Sequence, residues 1–436
     1  MTNIKTVTVI GVTGTMGGNI AAIFASFGNA KVYCVGRNIE KVNSVIPRII
    51  RSVKADAIES NLIPADFSML EECVSNSDLV FESAKEDIKV KCEIARTVGK
   101  WLKDTAISCT GSSGLSITTL AECYPDALRG NFFGVHMFNP PYTLSLCELI
   151  PTIYSNQKTL EDLRYYLSRE LIRTVVQVKD SPAFLGNRIG FQFINEALQY
   201  SEKYSDNGGI DYIDAILGPF TGRTMAPLAT SDFVGLDVHK AIVDNIYNNC
   251  CDYSHDTFIL PQYVQKMISS GKLGRKTKGG LYQQIKYDNG LKRQTVYDIN
   301  SGMYRDIIPY AFPFADKMKR YISEGDYEEA FKCLISNHSQ EAEICLSFLL
   351  KYIVYSLYAT EEVGYSVESA DDVMATGFNW CPPLALYQGL SSVANISDLI
   401  KDRLPDICQR IDVDRYLANI NQSKYDYRPY FKSGRK

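Results

Sequence analysis

The sequence predicts an α/β domain, with a parallel sheet covered by helices, followed by all-α helical domains. From residue 6 to about 180, short β-branched runs alternate with helical stretches, the rhythm of strands joined by crossover helices. After Asp180-Ser181-Pro182 the strand signal fades and helical periodicity takes over. A length of 436 residues, 45% of them hydrophobic, suits two or three globular domains.

Seven strand candidates occupy the first region, each a β-branched or aromatic run bounded by turn residues. They are residues 6–10, 31–35, 79–82, 106–109, 132–138, 147–150 and 174–178. Farther along, DNG and NSG turn signals between short Tyr/Val/Ile runs mark a connector between two helical stretches. We therefore expect domains at 1–180, 181–285 and 311–436, with the connector at 286–310.

The two helical regions are similar to each other. In the first, NEALQYSEKY precedes IDYIDAILGPFTGRTMAPLA; in the second, LYATEEVGY precedes VESADDVMATGFNWCPPLA. Both run from a helix to a short helix with an acidic start, then through a Gly/Pro turn to another helix. This pattern predicts that one helical unit is duplicated.

Composition and charge argue against several classes of protein. The 46 basic and 50 acidic residues give a formal net charge of -4, which argues against a nucleic-acid partner. The twelve cysteines include no CxxC pair, so we expect reduced thiols and no metal site. The first residues, MTNIKTVTVIGVTG, enter a strand pattern without a basic-then-apolar leader. Together these features predict a cytoplasmic protein.

The most apolar later stretch is EICLSFLLKYIVYSLYATEE. Lys351 interrupts it, and Glu343 and Glu361 flank it, so it falls short of the roughly 20 clean apolar residues that a membrane span needs. We expect a buried helix and no membrane partner.

The first strand leads directly into a glycine-rich loop and then a helical segment, NIAAIFASFG. The loop reads Gly11-Val12-Thr13-Gly14-Thr15-Met16-Gly17-Gly18. Glycines let a backbone approach a pyrophosphate, and the next helix N-terminus offers free N–H groups. We expect a dinucleotide to bind at Gly11, Gly14, Thr15, Met16 and Gly17. The GxxGxxG spacing is one residue longer than the usual GxGxxG.

The end of the second strand bears on the choice of cofactor. Gly36 stands about where a fold specific for the unphosphorylated dinucleotide carries an acid for the ribose hydroxyls. Arg37 follows, and its guanidinium suits a 2′-phosphate. The residues themselves therefore favour NADP(H); the alternative is that Arg37 is a solvated loop charge that stacks on adenine.

The chain has only four histidines, and one of them ends an apolar strand. His136 lies in GVHMFNPP, where two prolines and an asparagine stop the strand, and Glu148 ends the next strand candidate twelve residues on. A strand–turn–strand excursion of that length can return the carboxylate beside the imidazole. A histidine oriented by a carboxylate can accept a hydroxyl proton near neutral pH.

Taken together, these motifs resemble the L-3-hydroxyacyl-CoA dehydrogenase family. The resemblance covers residues 6 to about 283, in the family's order, and rests on GVTGTMGGNIA, DLVFESAKEDIKVKCEI, SCTGSSGLSIT, GVHMFNPP with CELIP, VKDSPAFLGNRI, SDFVGLDV and GKLGRKTKGGLY. It implies a Rossmann-like dinucleotide-binding domain. It also implies helical domains of the 6-phosphogluconate-dehydrogenase-like C-terminal type, here in two copies.

The resemblance also implies roles for single residues. His136 would be the general acid/base on the 3-hydroxyl, with Glu148 as its orienting partner. Ser112 would hydrogen-bond the reacting oxygen, and Asn187 in FLGNR would hold the substrate from the start of the helical region. The serine loop carries two glycines more than the family's usual run, so Ser113 is the alternative to Ser112.

For the cofactor, the resemblance places Glu86 and Lys91 close to the nicotinamide end and its ribose. NAD is the family default, whereas the Gly36-Arg37 pair favours NADP. The segment between the second strand and DLVFE is shorter than in the family, where a protruding helical pair contacts the CoA tail.

The activity implied is the interconversion of (S)-3-hydroxyacyl-CoA and 3-ketoacyl-CoA in the β-oxidation of fatty acids. Two alternatives remain open: a dehydrogenase of a carrier-protein-bound or free hydroxy acid, and a non-catalytic NADP-sensing protein. The acyl-CoA thioester is the expected partner. The second helical copy predicts a monomer with an internal pseudo-dimer of helical domains, or else a homodimer.

Overall fold

The computed structural model describes residues 4–286, 290 and 292–433. The chain folds into two compact units. The first runs to Phe184 and also holds Val363–Tyr365, and the second holds Leu185–Glu362 and the residues from Ser366 onward. The second unit contains the predicted connector and nearly all of both predicted helical domains.

The first unit is built on one eight-stranded sheet. Its strands are β1 (Thr6–Ile10), β2 (Lys31–Gly36), β3 (Leu62–Asp66), β4 (Leu79–Glu82), β5 (Ile107–Thr110), β6 (Phe132–Met137), β7 (Leu146–Ile150) and β8 (Thr174–Gln177). The spatial order is β3-β2-β1-β4-β5-β6-β7-β8. The sheet is parallel up to β6, β7 runs antiparallel to β6, and β8 is parallel to β7.

Helices connect these strands and cover the sheet. They are α1 (Thr15–Ser26), α2 (Ile39–Val53), α3 (Leu70–Asn76), α4 (Ile88–Val98), α5 (Ile117–Ala121) and α6 (Gln157–Tyr165). Residues 7–10 of β1 are all buried, although alternate side chains of a strand point to opposite faces. Both faces are therefore covered, which explains the nearly continuous apolar run in this strand. The Rossmann-like class predicted for this region is confirmed.

All seven predicted strands are present, with ends displaced by one residue at most. The prediction missed β3, whose sequence LIPAD contains Pro64 and ends in an acid. Proline interrupts a strand pattern but is tolerated at a sheet edge, where no further strand needs its N–H group. In the structure β3 is one of the two edge strands, and its pairing partner in the sheet is β2.

The cysteines are free thiols, and seven of the twelve are buried. Burial raises the pKa of Cys34 and of Cys147 to about 12 each. These thiols are protonated at neutral pH and act as small apolar core residues rather than as nucleophiles.

The second unit is mainly helical. It contains α7 (Gly186–Lys203), α8 (Ile210–Ile216), α9 (Pro227–Val234), α10 (Leu236–Asn249), α11 (Gln262–Ser269), α12 (Pro313–Glu324), α13 (Tyr327–Ile335), α14 (Gln340–Val363), α15 (Ser369–Val373), α16 (Pro383–Ser391), α17 (Ile396–Arg403), α18 (Pro405–Arg410) and α19 (Val413–Leu417). The helical class predicted for this part of the chain is confirmed.

The predicted connector contains structure that the sequence did not predict. Strands β9 (Tyr282–Lys286), β10 (Lys292–Tyr297) and β11 (Tyr304–Asp306) form an antiparallel sheet in the order β11-β10-β9. The NSG signal is the turn between β10 and β11, where Asp298 accepts a hydrogen bond from the N–H of Ser301 at 2.7 Å. The DNG signal falls on residues 288–290, of which 288 and 289 lie outside the described residues.

Helix α14 contains the apolar stretch of the sequence. Among the described helices it is the one long and apolar enough to cross a membrane, but most of its apolar window is buried inside the fold. Lys351, the charge that interrupts the stretch, donates from Nζ to Oε1 of Glu196 on α7 at 2.5 Å. The expected buried helix is present, and the absence of a membrane partner stays a prediction.

Each of the two similar helical regions contains the same type of contact, between an aspartate and the start of a helix. In the first, Asp214 accepts the N–H groups of Leu228 and Ala229, at the start of α9. In the second, Asp371 accepts the N–H of Leu384, at the start of α16. Each aspartate thus satisfies donors that a helix N-terminus leaves unpaired. The recurrence supports the predicted duplication.

Candidate active site

The candidate residues of the first unit gather at one edge of the sheet. The glycine loop follows β1, Glu82 ends β4, and a serine-containing loop of residues 111–114 follows β5. His136 lies near the end of β6. Because these four strands are parallel, their carboxyl ends meet at the same edge, which is where ligands bind in open α/β sheets.

The glycine loop brings β1 and α1 into close approach. Gly11 has φ +94°, and a Cβ there would lie 2.3 Å from the carbonyl oxygen of Ser83. A Cβ at Gly17 would lie 2.3 Å from the carbonyl oxygen of Gly11. The loop accommodates its extra residue in a turn, in which the N–H of Gly14 donates to the carbonyl oxygen of Gly11 at 3.0 Å. Gly14 then caps α1 without a side-chain acceptor, which leaves N–H groups of the first turn for a ligand.

The end of β2 forms a basic recess beside this loop. A cavity of about 290 Å³ is lined by Thr13, Arg37, Asn38 and Lys41. Asn38 caps α2 by accepting the N–H of Lys41 at 2.9 Å. No ion pair within the described part of the chain engages Arg37 or Lys41. A Cβ at Gly36 would lie 2.5 Å from Cγ2 of Val42, so an acid at that position would collide with α2.

A buried ion pair lies at the end of β4. Glu82 and Lys91 are 5% and 2% exposed, and Nζ of Lys91 lies 3.0 and 2.9 Å from the two carboxylate oxygens. Thr110 donates its hydroxyl to Oε2 of Glu82 at 2.6 Å, and the N–H of Ala84 donates to Oε1 at 2.5 Å. A buried carboxylate with this many donors is fully hydrogen-bonded.

Glu86 links this pair to the serine loop. Its Oε1 accepts the hydroxyl of Ser112 at 2.6 Å, the N–H of Ser113 at 2.9 Å and the N–H of Gly114 at 3.1 Å. Its Oε2 lies 3.5 Å from Nζ of Lys91. One carboxylate therefore holds three successive residues of the loop.

His136 and Glu148 meet across the antiparallel pair of β6 and β7. They are register partners, and Nδ1 of His136 lies 2.7 Å from Oε2 of Glu148. The histidine is 6% exposed and the glutamate fully buried. Because an ionised carboxylate only accepts, Nδ1 carries the proton and Nε2 of the neutral ring is free to accept one. The rings of Phe138 and Phe184 pack beside the imidazole, with centroids at 4.7 and 5.5 Å.

Comparison with known proteins gives the family. A family model described as "3-hydroxyacyl-CoA dehydrogenase, NAD binding domain" matches residues 6–181. A second model, described as "3-hydroxyacyl-CoA dehydrogenase, C-terminal domain", matches residues 184–284. Hydroxyacyl-coenzyme A dehydrogenase, mitochondrial, of Sus scrofa is 30% identical over 295 residues, which cover 64% of this chain and 91% of the relative. The chain belongs to the 3-hydroxyacyl-CoA dehydrogenase family.

A longer relative and two solved structures extend the comparison. A Rickettsia felis protein named for a fatty acid oxidation complex trifunctional enzyme is 27% identical over 97% of this chain, which spans 58% of that protein. The crystal structure of 3-hydroxybutyryl-CoA dehydrogenase from Escherichia coli shares the fold over 95% of this chain and 99% of its own, with TM-score 0.71 and 20% identity. (S)-3-hydroxybutyryl-CoA dehydrogenase from Ralstonia eutropha is 28% identical over 64% of this chain and 98% of its own, with TM-score 0.54.

The helical C-terminal model of the 3-hydroxyacyl-CoA dehydrogenase family matches the first helical region only. The second copy therefore stays a prediction. Asn187, the remaining predicted site residue, lies in the first turn of α7 in the second unit and is 6% exposed. Its proposed role in holding substrate stays a prediction as well.

Sequence reasoning missed three residues of the candidate site. Glu82 and Thr110 join the predicted Glu86 and Lys91 in one network, and Lys41 joins Arg37 at the basic recess. An acid at the end of an otherwise apolar strand was the available signal for Glu82. Lys41 follows Arg37 by four residues. Whether the two side chains lie at one recess depends on where α2 begins, and the sequence does not fix that start.

The other three histidines belong to the second unit. His239 is buried between Asn195 and Ser231, and burial lowers its pKa to about 3. His255 donates from Nε2 to the backbone carbonyl oxygen of Tyr247 at 2.7 Å, and His338 is exposed. Within residues 4–286, 290 and 292–433, no three His, Cys, Asp or Glu side chains cluster as a metal site.

Proposed function

We propose that this chain interconverts (S)-3-hydroxyacyl-CoA and 3-ketoacyl-CoA by hydride transfer to or from NAD(P), in fatty-acid oxidation. The hydrogen-bonded pair of His136 and Glu148 carries the proposal, because it supplies a proton acceptor at the ligand-binding edge of the sheet. Family membership supports the substrate class. The names of the pig and Rickettsia relatives support the reaction and the pathway.

In the oxidative direction the O–H bond of the 3-hydroxyl and the adjacent C–H bond break as the carbonyl forms. Nε2 of His136 takes the proton, and the negative charge of Glu148 stabilises the imidazolium that results. In the reductive direction the imidazolium returns that proton to the oxygen. Bound NAD(P) supplies the hydride acceptor or donor. A neutral serine hydroxyl of the loop after β5 positions the oxygen without adding charge.

The glycine loop fits a dinucleotide. The tight approach at Gly11 and Gly17 leaves no room for side chains, so the backbone can lie against a pyrophosphate. The first turn of α1 supplies N–H groups and the positive end of the helix dipole. Glu86 and Lys91 belong to the network beside this loop and are our candidates for contacts with the nicotinamide ribose.

For the adenosine end of the cofactor we propose a preference for NADP. Arg37 and Lys41 place two cations around one recess beside Thr13, and the collision at Gly36 excludes the acid that would repel a 2′-phosphate. Charge-assisted bonds from a guanidinium and an ammonium suit a phosphate with a charge near -2.

A second candidate substrate class is a carrier-protein-bound or free 3-hydroxy acid. One observation favours it: α2 ends at Val53, and a single short helical turn, Asp56–Asn61, connects it to β3. The first unit therefore has no protruding helical pair in this described segment. For the CoA thioester, in contrast, Arg48 and Arg51 are exposed on α2 and are available to the phosphates of the CoA tail.

The test is a steady-state assay with acetoacetyl-CoA that follows the oxidation of NADH and of NADPH separately. We expect turnover, and we expect His136→Ala to lose it by roughly 10²- to 10⁴-fold while cofactor binding is retained. His338→Ala, the exposed histidine, is the matched control and keeps full activity. Turnover of acetoacetate or of an acetoacetyl carrier protein in place of the CoA thioester supports the second candidate. Cofactor binding without turnover of any of them contradicts the enzyme proposal and favours a sensor.

We also propose that the protein is a monomer. Within the second unit, Arg223 is buried with its guanidinium 3.8 Å from the ring centroid of Phe193 and 4.9 Å from that of Trp380. Phe193 and Trp380 belong to the two similar helical regions, so this contact joins the regions inside one chain. Light scattering at several concentrations tests the proposal, and a constant mass of two chains contradicts it.

A further inference from the structure

We infer that Phe184 is a positioning residue for His136. Its ring packs against the imidazole from a turn, residues 181–184, whose last two residues have left-handed backbone conformations. This inference rests on the proposed function, in which His136 takes the proton of the substrate and returns it.

The hydrogen bond to Glu148 does not by itself fix the plane of the imidazole. It holds Nδ1 of His136 at 2.7 Å from the carboxylate, but rotation about the χ2 bond of a histidine has a broad energy profile. Such a rotation moves Nε2, the atom that takes the proton. Packing against the ring must therefore decide where Nε2 points.

Two phenylalanine rings supply this packing, and they come from different parts of the chain. Phe138 follows β6 directly, with its ring centroid 4.7 Å from that of His136 and the planes at 58°. Phe184 comes after β8, with the corresponding centroid distance 5.5 Å and the planes at 50°. Phe184 is 0% exposed. The contact of Phe138 is local in sequence, whereas the tertiary structure has to bring Phe184 to the imidazole.

The turn that carries Phe184 is strained. The N–H of Phe184 donates to the carbonyl oxygen of Ser181 at 3.0 Å, which closes the turn. Ala183 and Phe184 have φ +61° and +56°, a left-handed conformation that a Cβ disfavours and that is rare for a bulky side chain. Two consecutive residues keep this conformation only where the surrounding structure imposes it, and strain of this kind collects at functional sites.

Asp180 anchors the start of the turn to α5. Its Oδ1 accepts the N–H of Ile117 at 3.0 Å, and its Oδ2 accepts the N–H of Thr118 at 2.8 Å and the hydroxyl of Ser116 at 3.0 Å. One carboxylate thus satisfies donors that the first turn of this helix leaves unpaired. Asp180 fixes one end of the turn and the buried ring of Phe184 fixes the other, so the backbone between them is held in its strained conformation.

These contacts matter for proton transfer in two ways. The imidazole is 6% exposed, so the apolar rings of Phe138 and Phe184 leave it little contact with water. Water at the ring would compete with Glu148 for the Nδ1 proton of His136. A base that is already oriented also needs no rearrangement when it takes the substrate proton. Loss of the Phe184 ring should therefore slow the chemical step and leave cofactor binding unchanged.

The experiment compares two leucine variants in the full chain. Phe184→Leu keeps an apolar side chain but removes the ring, and Phe314→Leu makes the same change at a phenylalanine of α12 that is 1% exposed. Each is measured for kcat and KM with acetoacetyl-CoA, for cofactor Kd by the fluorescence of bound NADH and NADPH, and for Tm. Proton NMR without substrate follows the Nδ1 proton of His136, assigned as the downfield resonance that His136→Ala lacks.

We expect Phe184→Leu to lower kcat by roughly 10- to 10²-fold with a cofactor Kd within about twofold of the wild type, because the base is no longer aligned. The Nδ1 resonance is sharp in the wild type and is broadened or lost in this variant, because water then exchanges the proton. Phe314→Leu lowers Tm but keeps kcat and the resonance. Ala183→Gly has a Tm equal to or above that of the wild type, because glycine adopts the positive φ without strain.

A kcat of Phe184→Leu within about twofold of the wild type overturns the inference, and so does an unchanged Nδ1 resonance in that variant. An equal loss of kcat in Phe314→Leu overturns it as well, since destabilisation alone would then be the cause. A lower Tm in Ala183→Gly contradicts the strained turn.

If Phe184→Leu does not fold, the wild-type spectrum decides. An Nδ1 proton of His136 that is protected from exchange supports the inference, and one in fast exchange with water overturns it. Failure of the proposed function is distinct from these outcomes. In that case the wild type turns over no acetoacetyl thioester, whereas the NMR comparison needs no substrate.

Discussion

Oε2 of Glu148 accepts a hydrogen bond from Nδ1 of His136 at 2.7 Å, in a register pair between two antiparallel strands. We expect Glu148→Gln to lower kcat by roughly 10²- to 10⁴-fold, because a neutral amide does not stabilise the imidazolium and can impose the wrong tautomer. The measurement is steady-state kinetics, together with cofactor Kd, which is expected to stay unchanged.

The chain offers a matched control for this variant. His338 and Glu343 form another histidine–carboxylate pair at 3.1 Å in the second unit, where His338 is exposed and Glu343 half-buried. Glu343→Gln is expected to keep full activity. A kcat of Glu148→Gln within about twofold of the wild type contradicts the orienting role of Glu148.

The basic recess predicts a selective effect on cofactor binding. We expect Arg37→Ala to raise the KM for NADPH by about 10-fold or more and that for NADH by less than about twofold, because a charge-assisted bond to phosphate is lost. Lys41→Ala changes the same ratio in the same direction. Arg164→Ala, at an exposed arginine of α6 in the same unit, serves as the control. Equal changes for both cofactors, or none, contradict the NADP preference.

The glycine loop predicts a contrast between two of its glycines. A Cβ at Gly17 would lie 2.3 Å from the backbone oxygen of Gly11, whereas a Cβ at Gly14 comes no closer than 3.4 Å to the same oxygen. We expect Gly17→Ala to destabilise the protein by about 1–3 kcal/mol, since neither backbone can yield without moving α1 from β1. Thermal unfolding measures the effect.

Gly14→Ala is the control for that contrast. Gly14 has φ −80°, a conformation open to alanine, so its Tm is expected to stay close to that of the wild type. Equal losses of Tm in the two variants argue against close approach of the backbones as the reason for Gly17.

The second unit predicts a dependence of stability on pH. Burial raises the pKa of Asp214 to about 7, although the carboxylate accepts two N–H groups and the hydroxyl of Tyr282. An unfolded aspartate titrates near about 3.9. Between these values the unfolded chain releases a proton that the folded chain keeps. The contribution of Asp214 to stability is therefore full below about pH 4 and is lost as pH rises towards 7.

The variant Asp214→Asn does not titrate, so it lacks this loss. We expect the stability difference between wild type and Asp214→Asn to be smaller at pH 7 than at pH 5, as measured by denaturant unfolding of the full chain. Asp402→Asn, at an exposed carboxylate, is the control, and its stability difference from the wild type is expected to be the same at pH 5 and pH 7. A gap that stays constant for Asp214→Asn contradicts the raised pKa.

Much of the fold was predictable because its signals are local. Strand runs such as residues 79–82 and the glycine loop after residue 10 carry their pattern in a few consecutive residues. The edge strand β3 was not predictable in this way, because Pro64 is tolerated there only by virtue of its place in the sheet. The sequence predicts only a connector where the small sheet of β9–β11 forms, since short strands with turn signals resemble a loop.

The residue types at the ends of the strands can be read directly from the sequence: the glycines after β1, the absence of an acid at Gly36, the histidine of β6 and the two serines after β5. The hydrogen bonds among these groups follow from the folded chain alone. Ser112 and Ser113 are equivalent as letters, but Glu86 takes the proton of one and leaves that of the other. That difference arises from hydrogen bonds between residues 26 positions apart in the chain, a relationship that no local pattern encodes.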